Sequence, residues 1–94
     1  MKVTVFAQIQ AHPGQTDSLF SLLKQLVRDT HTEAGCFEYT LHRSLDNANH
    51  FWMYEVWQSQ AALEAHMASP HFRAFVTASE ELVKQVDIHK TYAC

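Results

Sequence analysis

Two histidines lie close together in the stretch LEAHMASPHF, residues 63–72, on either side of a Ser-Pro pair. Imidazole titrates near neutral pH, so it can act as a general base, and burial tunes it further. Leu63, His66 and Met67 would share one face of a short helix, because residues three and four apart are neighbours there. His66 is therefore predicted to point inward, either as a structural histidine bonded to a backbone carbonyl or as a general base or substrate-orienting donor.

The second histidine, His71, is expected in the first turn of the next helix, where the helix dipole disfavours a positively charged ring. It is either a partly exposed polar residue beside a cap or part of a pocket. The two histidines stand five residues apart across a proline, unlike the four-residue spacing that aligns two imidazoles on one helix face. No acidic residue or cysteine stands at a companion spacing, so no metal site is predicted.

A carboxylate and a phenol are further candidates for chemistry. Glu55 lies in the middle of an apolar strand, and a buried carboxylate must be paired or protonated. It is either held by a structural partner, such as an arginine or a backbone N–H, or is a proton acceptor with a raised pKa. The phenol of Tyr39 could hydrogen-bond a substrate oxygen or a structural partner. His42 and Arg43, near the end of the same strand as Tyr39, are candidates for the mouth of a cavity.

The periodicity of apolar residues predicts the elements that position these groups. One helix begins at Gln15 and is closed by Gly35; a second, which starts after Ser59, is broken at Pro70. The last part of that helix has a predicted buried stripe of Phe72, Phe75, Val76, Ser79, Leu82 and Val83. Alternation predicts strands over residues 2–10, 36–44, 50–58 and 84–92. The order β-α-β-β-α-β predicts a ferredoxin-like α+β fold, with helices on one face of a four-stranded antiparallel sheet.

The third strand is apolar on both faces, which is typical of a strand that is covered on both sides. Helices would cover one face, and the other would carry Phe6, Trp52, Tyr54 and Val56. Two-fold dimers are the commonest oligomers. The sequence therefore predicts a homodimer in which two sheets meet face to face.

Length and composition limit the class of protein. The 94 residues are expected to form a single domain, residues 1–94, and 47% of them are hydrophobic. The net charge of −3 and the lack of a basic run argue against nucleic acid, and no stretch approaches the roughly 20 apolar residues of a membrane span. The N-terminus does not resemble a signal peptide, and Cys36 and Cys94 form no CxxC pair, so a reducing cytoplasm is the expected setting. No nucleotide or flavin motif is present, so an enzyme of this sequence would rely on reactive electrons of its substrate.

Three segments, EAGCFEYTLHRS, FWMYEVWQSQAALEAH and SPHFRAF, together resemble the antibiotic biosynthesis monooxygenase superfamily. The most specific part of the resemblance runs from Tyr54 to Phe72. The resemblance implies a dimeric α/β barrel with a pocket between sheet and helices in each subunit. It also implies oxidation of quinols or anthrones by O2 without a bound cofactor. In that chemistry a base removes a phenolic proton, the anion passes an electron to O2, and the resulting peroxide loses water.

The resemblance also suggests roles for individual residues. It makes His66 the base or orienting group, with Glu55 and Tyr39 beside it in the site. The predicted substrate-binding residues are Trp57, His71, Phe72, His42, Arg43 and Arg73.

Three alternatives stay open at this point. One branch of the superfamily isomerises a phosphorylated breakdown product of a quorum signal, and Arg43 or Arg73 could hold its phosphate. A haem-degrading branch resembles the chain less, because Ala7, His66 and Val76 stand where that branch has asparagine, tryptophan and the axial histidine. A dimeric ligand-binding module without catalysis is the third alternative, since one fold hosts many functions.

Overall fold

The computed structural model describes all 94 residues, which form four strands and three helices. In chain order the elements are β1 (Val3–Ala11), α1 (Thr16–Thr30), β2 (Cys36–Arg43), β3 (His50–Trp57), α2 (Gln60–Met67), α3 (Pro70–Ser79) and β4 (Val83–Thr91). The strand order in the sheet is β2-β3-β1-β4, and every neighbouring pair is antiparallel. This confirms the predicted ferredoxin-like fold, with the second helix divided into α2 and α3. None of the three helices has the length and apolar character needed to cross a membrane.

The core lies between the helices and one face of the sheet. Alternate residues of β1 and β3 are buried on this inner face, and in β3 they are Phe51, Met53, Glu55 and Trp57. Successive side chains of a strand point to opposite faces, so this alternation directs the carboxyl of Glu55 towards the helices. Helix α1 covers the inner face with its buried leucines, Leu19, Leu23 and Leu26.

The Ser-Pro pair divides the second helix as predicted. The Oγ atom of Ser69 accepts a hydrogen bond from the backbone N–H of Phe72 at 3.3 Å and donates one to the carbonyl of His66 at 2.6 Å. Pro70 is the first residue of α3, where its missing N–H costs little. The junction therefore ends α2, starts α3 and places His66 and His71 beside each other.

Two helix ends differ from the predictions. Helix α1 ends at Thr30, and Gly35 lies beyond it in the turn immediately before β2. A Cβ atom on Gly35 would stand 2.6 Å from the Cβ of Ala62, so glycine serves the close approach of the chain to α2 rather than a helix cap. Helix α3 ends at Ser79, which leaves Leu82 in the following turn and Val83 at the start of β4.

The outer face of the sheet carries no helix. Phe6 and Trp52 are 44% and 41% exposed on this face, and the Phe6 ring packs against Tyr54 with 5.5 Å between centroids. Val56 is half-buried beside them. The four residues predicted for this face do lie on it, because they alternate with the buried positions of β1 and β3.

Candidate functional site

A cavity of about 310 Å³ lies between the inner face of the sheet and helices α1 and α3. Twelve of its fifteen lining residues are hydrophobic, and none is a lysine or arginine. The lining includes the phenol-bearing Tyr39 and the acidic Glu55, together with the aromatic ring of Phe72. An apolar cavity with few polar groups is the usual form of a small-molecule site.

The rim of this cavity lies along β4. Val86 and Ile88 face inward, opposite Ile9 and Ala7 of β1, yet each is 47% exposed because no helix extends over the edge strand. Val76 of α3, predicted to be buried, is exposed at the same rim. The open edge gives the cavity an apolar entrance.

The carboxyl of Glu55 is buried in the cavity lining. Its Oε1 atom accepts a hydrogen bond from the indole N–H of Trp57 at 2.8 Å, so its partner is an indole rather than an arginine or backbone N–H. Burial raises the pKa of Glu55 to about 7, because the loss of hydration outweighs the lowering effect of the Trp57 hydrogen bond. Glu55 also lines a small cavity of about 30 Å³ next to His66. Near neutral pH this carboxyl can therefore accept or donate a proton.

The ring of His66 is buried, and both of its nitrogens face side chains rather than backbone carbonyls. Nδ1 lies 2.7 Å from Oε2 of Glu33, and Nε2 lies 3.4 Å from the hydroxyl of Tyr39. Because a carboxylate only accepts, the hydrogen-bond network assigns the ring hydrogen to Nδ1 and leaves Nε2 to accept from the Tyr39 hydroxyl. Burial lowers the pKa of His66 and outweighs the nearby Glu33 carboxylate, which raises it. The net effect favours the neutral ring.

The phenol of Tyr39 connects this histidine to the cavity. Burial, reinforced by the negative charge of Glu55, raises the pKa of Tyr39 and keeps the phenol protonated. Its bond to His66 is long, and such bonds commonly tighten when a ligand binds. His66 therefore reaches the main cavity through Tyr39 and borders directly only the smaller one.

Glu33 is a site residue that the sequence reasoning missed. Its Oε2 atom also lies 2.7 Å from Nε2 of His71, so one carboxylate oxygen joins the two histidines. Glu33 lies in the turn between α1 and β2, where its N–H donates to the carbonyl of Thr30 and its own carbonyl accepts from Cys36. It stands 33 and 38 residues from the two histidines, so no local spacing links them. The only indication of Glu33 in the sequence is that it is the first residue of EAGCFEYTLHRS, one of the three segments that resemble the monooxygenase superfamily.

The donor atoms of Glu33, His66 and His71 all lie within 4.8 Å of one another, and the structure holds no other such group of potential metal ligands. The fold thus brings an acidic residue, Glu33, to the two histidines, although no acidic residue stands near them in the sequence at a metal-ligand spacing. In this structure the two 2.7 Å contacts to one carboxylate oxygen are charge-assisted hydrogen bonds, which join the three side chains into a proton network.

Two more predicted residues lie beside this network. Trp57 is fully buried and packs on the His66 ring with 4.6 Å between centroids. Phe72 packs on the same ring at 4.9 Å and also lines the main cavity. The aromatic rings therefore hold His66 in place from two sides.

Neither cavity is lined by the other three predicted substrate-binding residues, nor by Trp57 or His71. His42 lies on the outer face, opposite Trp52, and its Nδ1 contacts the carbonyl of Thr40 at 3.2 Å. The Arg43 guanidinium lies over two aromatic rings, those of Phe20 and Phe51, at 4.6 and 4.8 Å. Arg73 is exposed on the surface of α3. The structure thus brings no arginine to the cavity for a phosphate.

The fold is that of a known class of protein. A family model described as antibiotic biosynthesis monooxygenase matches residues 2–78, and the chain belongs to this family. The solved structure of PA3566 from Pseudomonas aeruginosa is 36% identical and superposes with a TM-score of 0.95 over 99% of this chain and 94% of that one. That of Rv0793 from Mycobacterium tuberculosis is 27% identical, with a TM-score of 0.94 over 100% and 96% of the two chains.

Curated relatives have similar sequences over most of this chain. A Bacillus subtilis protein named "Putative monooxygenase YcnE" is 29% identical over 90 residues, which cover 95% of each chain. An uncharacterized Synechocystis protein, sll1783, is 28% identical over 90 residues; the match spans 96% of this chain and 61% of that longer protein. The family is thus shown across nearly the whole chain, and the relatives' names give no substrate.

Proposed function

We propose that this chain is a monooxygenase that oxidises a quinol- or anthrone-type aromatic substrate with O2 and needs no bound cofactor. The observation that carries this proposal is the apolar cavity of about 310 Å³, lined by Tyr39 and Glu55, in a chain of the monooxygenase family. The volume is at the lower end of the range of small-molecule sites, which suits a fused two- or three-ring compound.

The arrangement of the site supports removal of a phenolic proton. The substrate hydroxyl would face the oxygen of Tyr39, whose own proton passes to Nε2 of His66, 3.4 Å away. The resulting imidazolium is stabilised by the carboxylate of Glu33 at 2.7 Å. Glu55, with its pKa near 7, lies in the same lining as a second group that can exchange a proton.

The substrate anion then supplies the electrons. One electron passes to O2, the two radicals combine into a peroxide at carbon, and the peroxide breaks at its O–O bond. For an anthrone in its enol form, the peroxide takes up the proton held by the relay, and the carbon loses its remaining hydrogen as a proton. That carbon becomes a carbonyl that keeps one oxygen atom, while the expelled hydroxide and the released proton form water. A bound aromatic substrate would fill the apolar cavity and keep solvent away from these reactive species.

The direct test is oxygen uptake by the purified protein with reduced naphthoquinols and anthrone, corrected for the rate in buffer alone. Labelled O2 should place one oxygen atom in the product and one in water. We expect Tyr39→Phe to lower kcat about a hundredfold, because the variant cannot relay the proton. Tyr54→Phe, on the outer face, is the matched control and should keep the activity of the parent.

Three other results of this experiment would change the proposed function or its mechanism. Tight binding of an aromatic compound without oxygen uptake would mean that the protein is a ligand-binding module rather than an enzyme. Oxygen uptake that yields hydrogen peroxide and no labelled product would indicate an oxidase. A Tyr39→Phe variant as active as the parent would remove Tyr39 from the mechanism and leave Glu55 as the proton acceptor.

We further propose that two copies of the chain associate through the outer faces of their sheets. The exposed aromatic rings of Phe6 and Trp52 on a face without helices support this proposal. The cavity lies on the opposite side of the sheet, so such a dimer would leave its rim open.

A further inference from the structure

Glu33 and His71 are not needed to form the cavity, yet they are joined to its chemistry. Neither residue lines the main cavity, and both are partly exposed, by 16% and 21% of their side-chain surface. The two ion pairs that the structure contains are both made by Glu33, one to each histidine. A continuous series of hydrogen bonds therefore runs from the cavity wall at Tyr39 to solvent at His71.

We infer that Glu33 is the positioning carboxylate of a proton relay through Tyr39 and His66, and that His71 connects this relay to solvent. This inference rests on the proposed function, because the proton that the relay carries comes from the proposed substrate. Glu33 fixes the hydrogen of the His66 ring on Nδ1, so that Nε2 faces Tyr39 as an acceptor. Base-orienting carboxylates act in this way in other proton-transfer sites.

The relay neither gains nor loses protons over one turnover. One proton leaves the substrate hydroxyl for the Tyr39 oxygen, the Tyr39 proton moves to Nε2 of His66, and the Nδ1 proton of His66 is shared with Glu33. That proton returns by the same route to the peroxide, and the C–H proton released as the carbonyl forms joins the departing hydroxide as water. His71, which shares the Glu33 oxygen, lets the relay exchange its proton with solvent between turnovers.

Glu33 and His71 have opposite effects on the pKa of His66. The Glu33 carboxylate stabilises the His66 imidazolium, whereas a positive charge on His71 destabilises it. The other ionisable groups near the ring are the Tyr39 phenol on β2, the Glu55 carboxyl on β3 and the Lys90 ammonium on β4, which borders the same small cavity. These three are unchanged in variants of Glu33 and His71, so a comparison isolates the relay.

The test is NMR of the histidine ring nitrogens in the whole protein, titrated from about pH 5 to about pH 8. We expect His66 to carry its hydrogen on Nδ1 in the parent. Glu33→Gln should lower the pKa of His66 and mix its two tautomers, and His71→Gln should raise that pKa. Glu38→Gln, an exposed carboxylate on the outer face, is the control and should leave His66 unchanged. Shifts of opposite sign would show that both charges act on the His66 ring, and kinetics then decide whether the proton of the reaction passes through it.

Kinetics give the second readout. We expect Glu33→Gln to lower kcat about tenfold or more with a smaller change in KM, since the lost charge is needed mainly when the imidazolium forms. The acid limb of the kcat profile should move to lower pH in Glu33→Gln and to higher pH in His71→Gln, because activity requires an unprotonated Nε2.

The two proposals fail in different ways. If the parent consumes oxygen with substrate while Glu33→Gln has the same kcat, the relay is overturned and the proposed monooxygenase function stands, whatever the His66 titration. If the parent consumes no oxygen while the ring pKa shifts as described, the proposed function falls and the proton network remains. Shifts of the His66 pKa in one direction for both variants would overturn the relay whatever the activity.

Discussion

At the scale of single residues, the site consists of polar side chains that are buried among apolar ones and satisfied by one another. Glu55 is paired with an indole, and His66 with a phenol and a carboxylate. Each pairing offsets the cost of removing a polar group from water, but none of them fully compensates an ionised Glu55. The protonation of these groups is therefore linked to folding.

Glu55 should make stability fall as the pH rises. Its pKa is raised from 4.5 to about 7 in the folded protein, so between these values the folded state binds more protons than the unfolded state. The free energy of unfolding then decreases with pH across that window and stays at the lower level above pH 7. The shift corresponds to a loss of about 3 kcal/mol. Glu55→Gln should remove this loss, because the amide oxygen still accepts from Trp57 and carries no charge.

Chemical denaturation of the parent and Glu55→Gln at about pH 4.5 and about pH 8 measures this difference. The variant should gain stability relative to the parent at the higher pH, and the contribution of His66, which both proteins share, cancels in the comparison. Glu38→Gln controls for the loss of a surface carboxylate. An equal stability difference at both pH values would mean that Glu55 ionises normally in the folded protein.

Residue patterns in the sequence predicted part of this site. The inward direction of His66 followed from its three-residue spacing from Leu63, and the burial of Glu55 from its place among alternating apolar residues. Glu33 could not be found in this way, because it lies in a turn and meets the histidines only after α1, α2 and α3 have packed. The proton network is a product of tertiary structure.

At the scale of elements, the turn that carries Glu33 is held against α2 by a close contact. The carbonyl of Gly35 accepts from the N–H of Gln58 at 2.9 Å, and the Cα of Gly35 leaves no room for a side chain beside Ala62. This contact sets the distance between the end of the Glu33 turn and the helix that carries His66. The sequence indicated the glycine but not its role, because helix caps and close approaches both select glycine.

Gly35→Ala should destabilise the protein by about 1–3 kcal/mol, since its Cβ would overlap that of Ala62 and push α2 away. Thermal or denaturant unfolding gives the value. The double variant with Ala62→Gly should recover part of the loss, although glycine in α2 itself costs about 1 kcal/mol. A double-mutant cycle separates the two effects.

Gly14→Ala is the matched control for this contact. Nothing lies within 4 Å of a Cβ at Gly14, so any cost there comes from its positive φ of 84° rather than from packing. Ala62→Gly should therefore offset part of the loss in Gly35→Ala, whereas in Gly14→Ala it should only add its own cost of about 1 kcal/mol. A Gly35→Ala variant as stable as the parent would show that α2 can shift freely.

At the scale of the whole molecule, the sheet divides the protein into two sides with different tasks. The inner side carries the cavity and the proton network beneath the helices, and the outer side is a bare face with exposed aromatic rings. The apolar character of both faces of β3 was visible in the sequence. The open rim along β4 was not, because inward-facing residues of an edge strand follow the same alternation whether or not a helix covers them.

The proposed dimer should depend on Trp52. The ring is 41% exposed in the single chain, which corresponds to about 100 Å² of surface that would leave water in each subunit. At about 25 cal/mol per Å², this burial contributes about 2–3 kcal/mol per subunit. Trp52→Lys removes both contributions and places two ammonium groups at the interface, so the dissociation constant should rise by about a thousandfold or more.

Sedimentation equilibrium distinguishes the species, since the parent should have twice the 10.8 kDa mass of the chain and Trp52→Lys the mass of one chain. Met67→Lys is the matched control, because Met67 is also an exposed apolar residue but lies on α2, on the side of the helices. This control should remain dimeric. Because Trp52 and the cavity lie on opposite sides of the sheet, monomeric Trp52→Lys should still bind the proposed aromatic substrate. A parent that sediments as a monomer at micromolar concentration would overturn the dimer and leave the site unaffected.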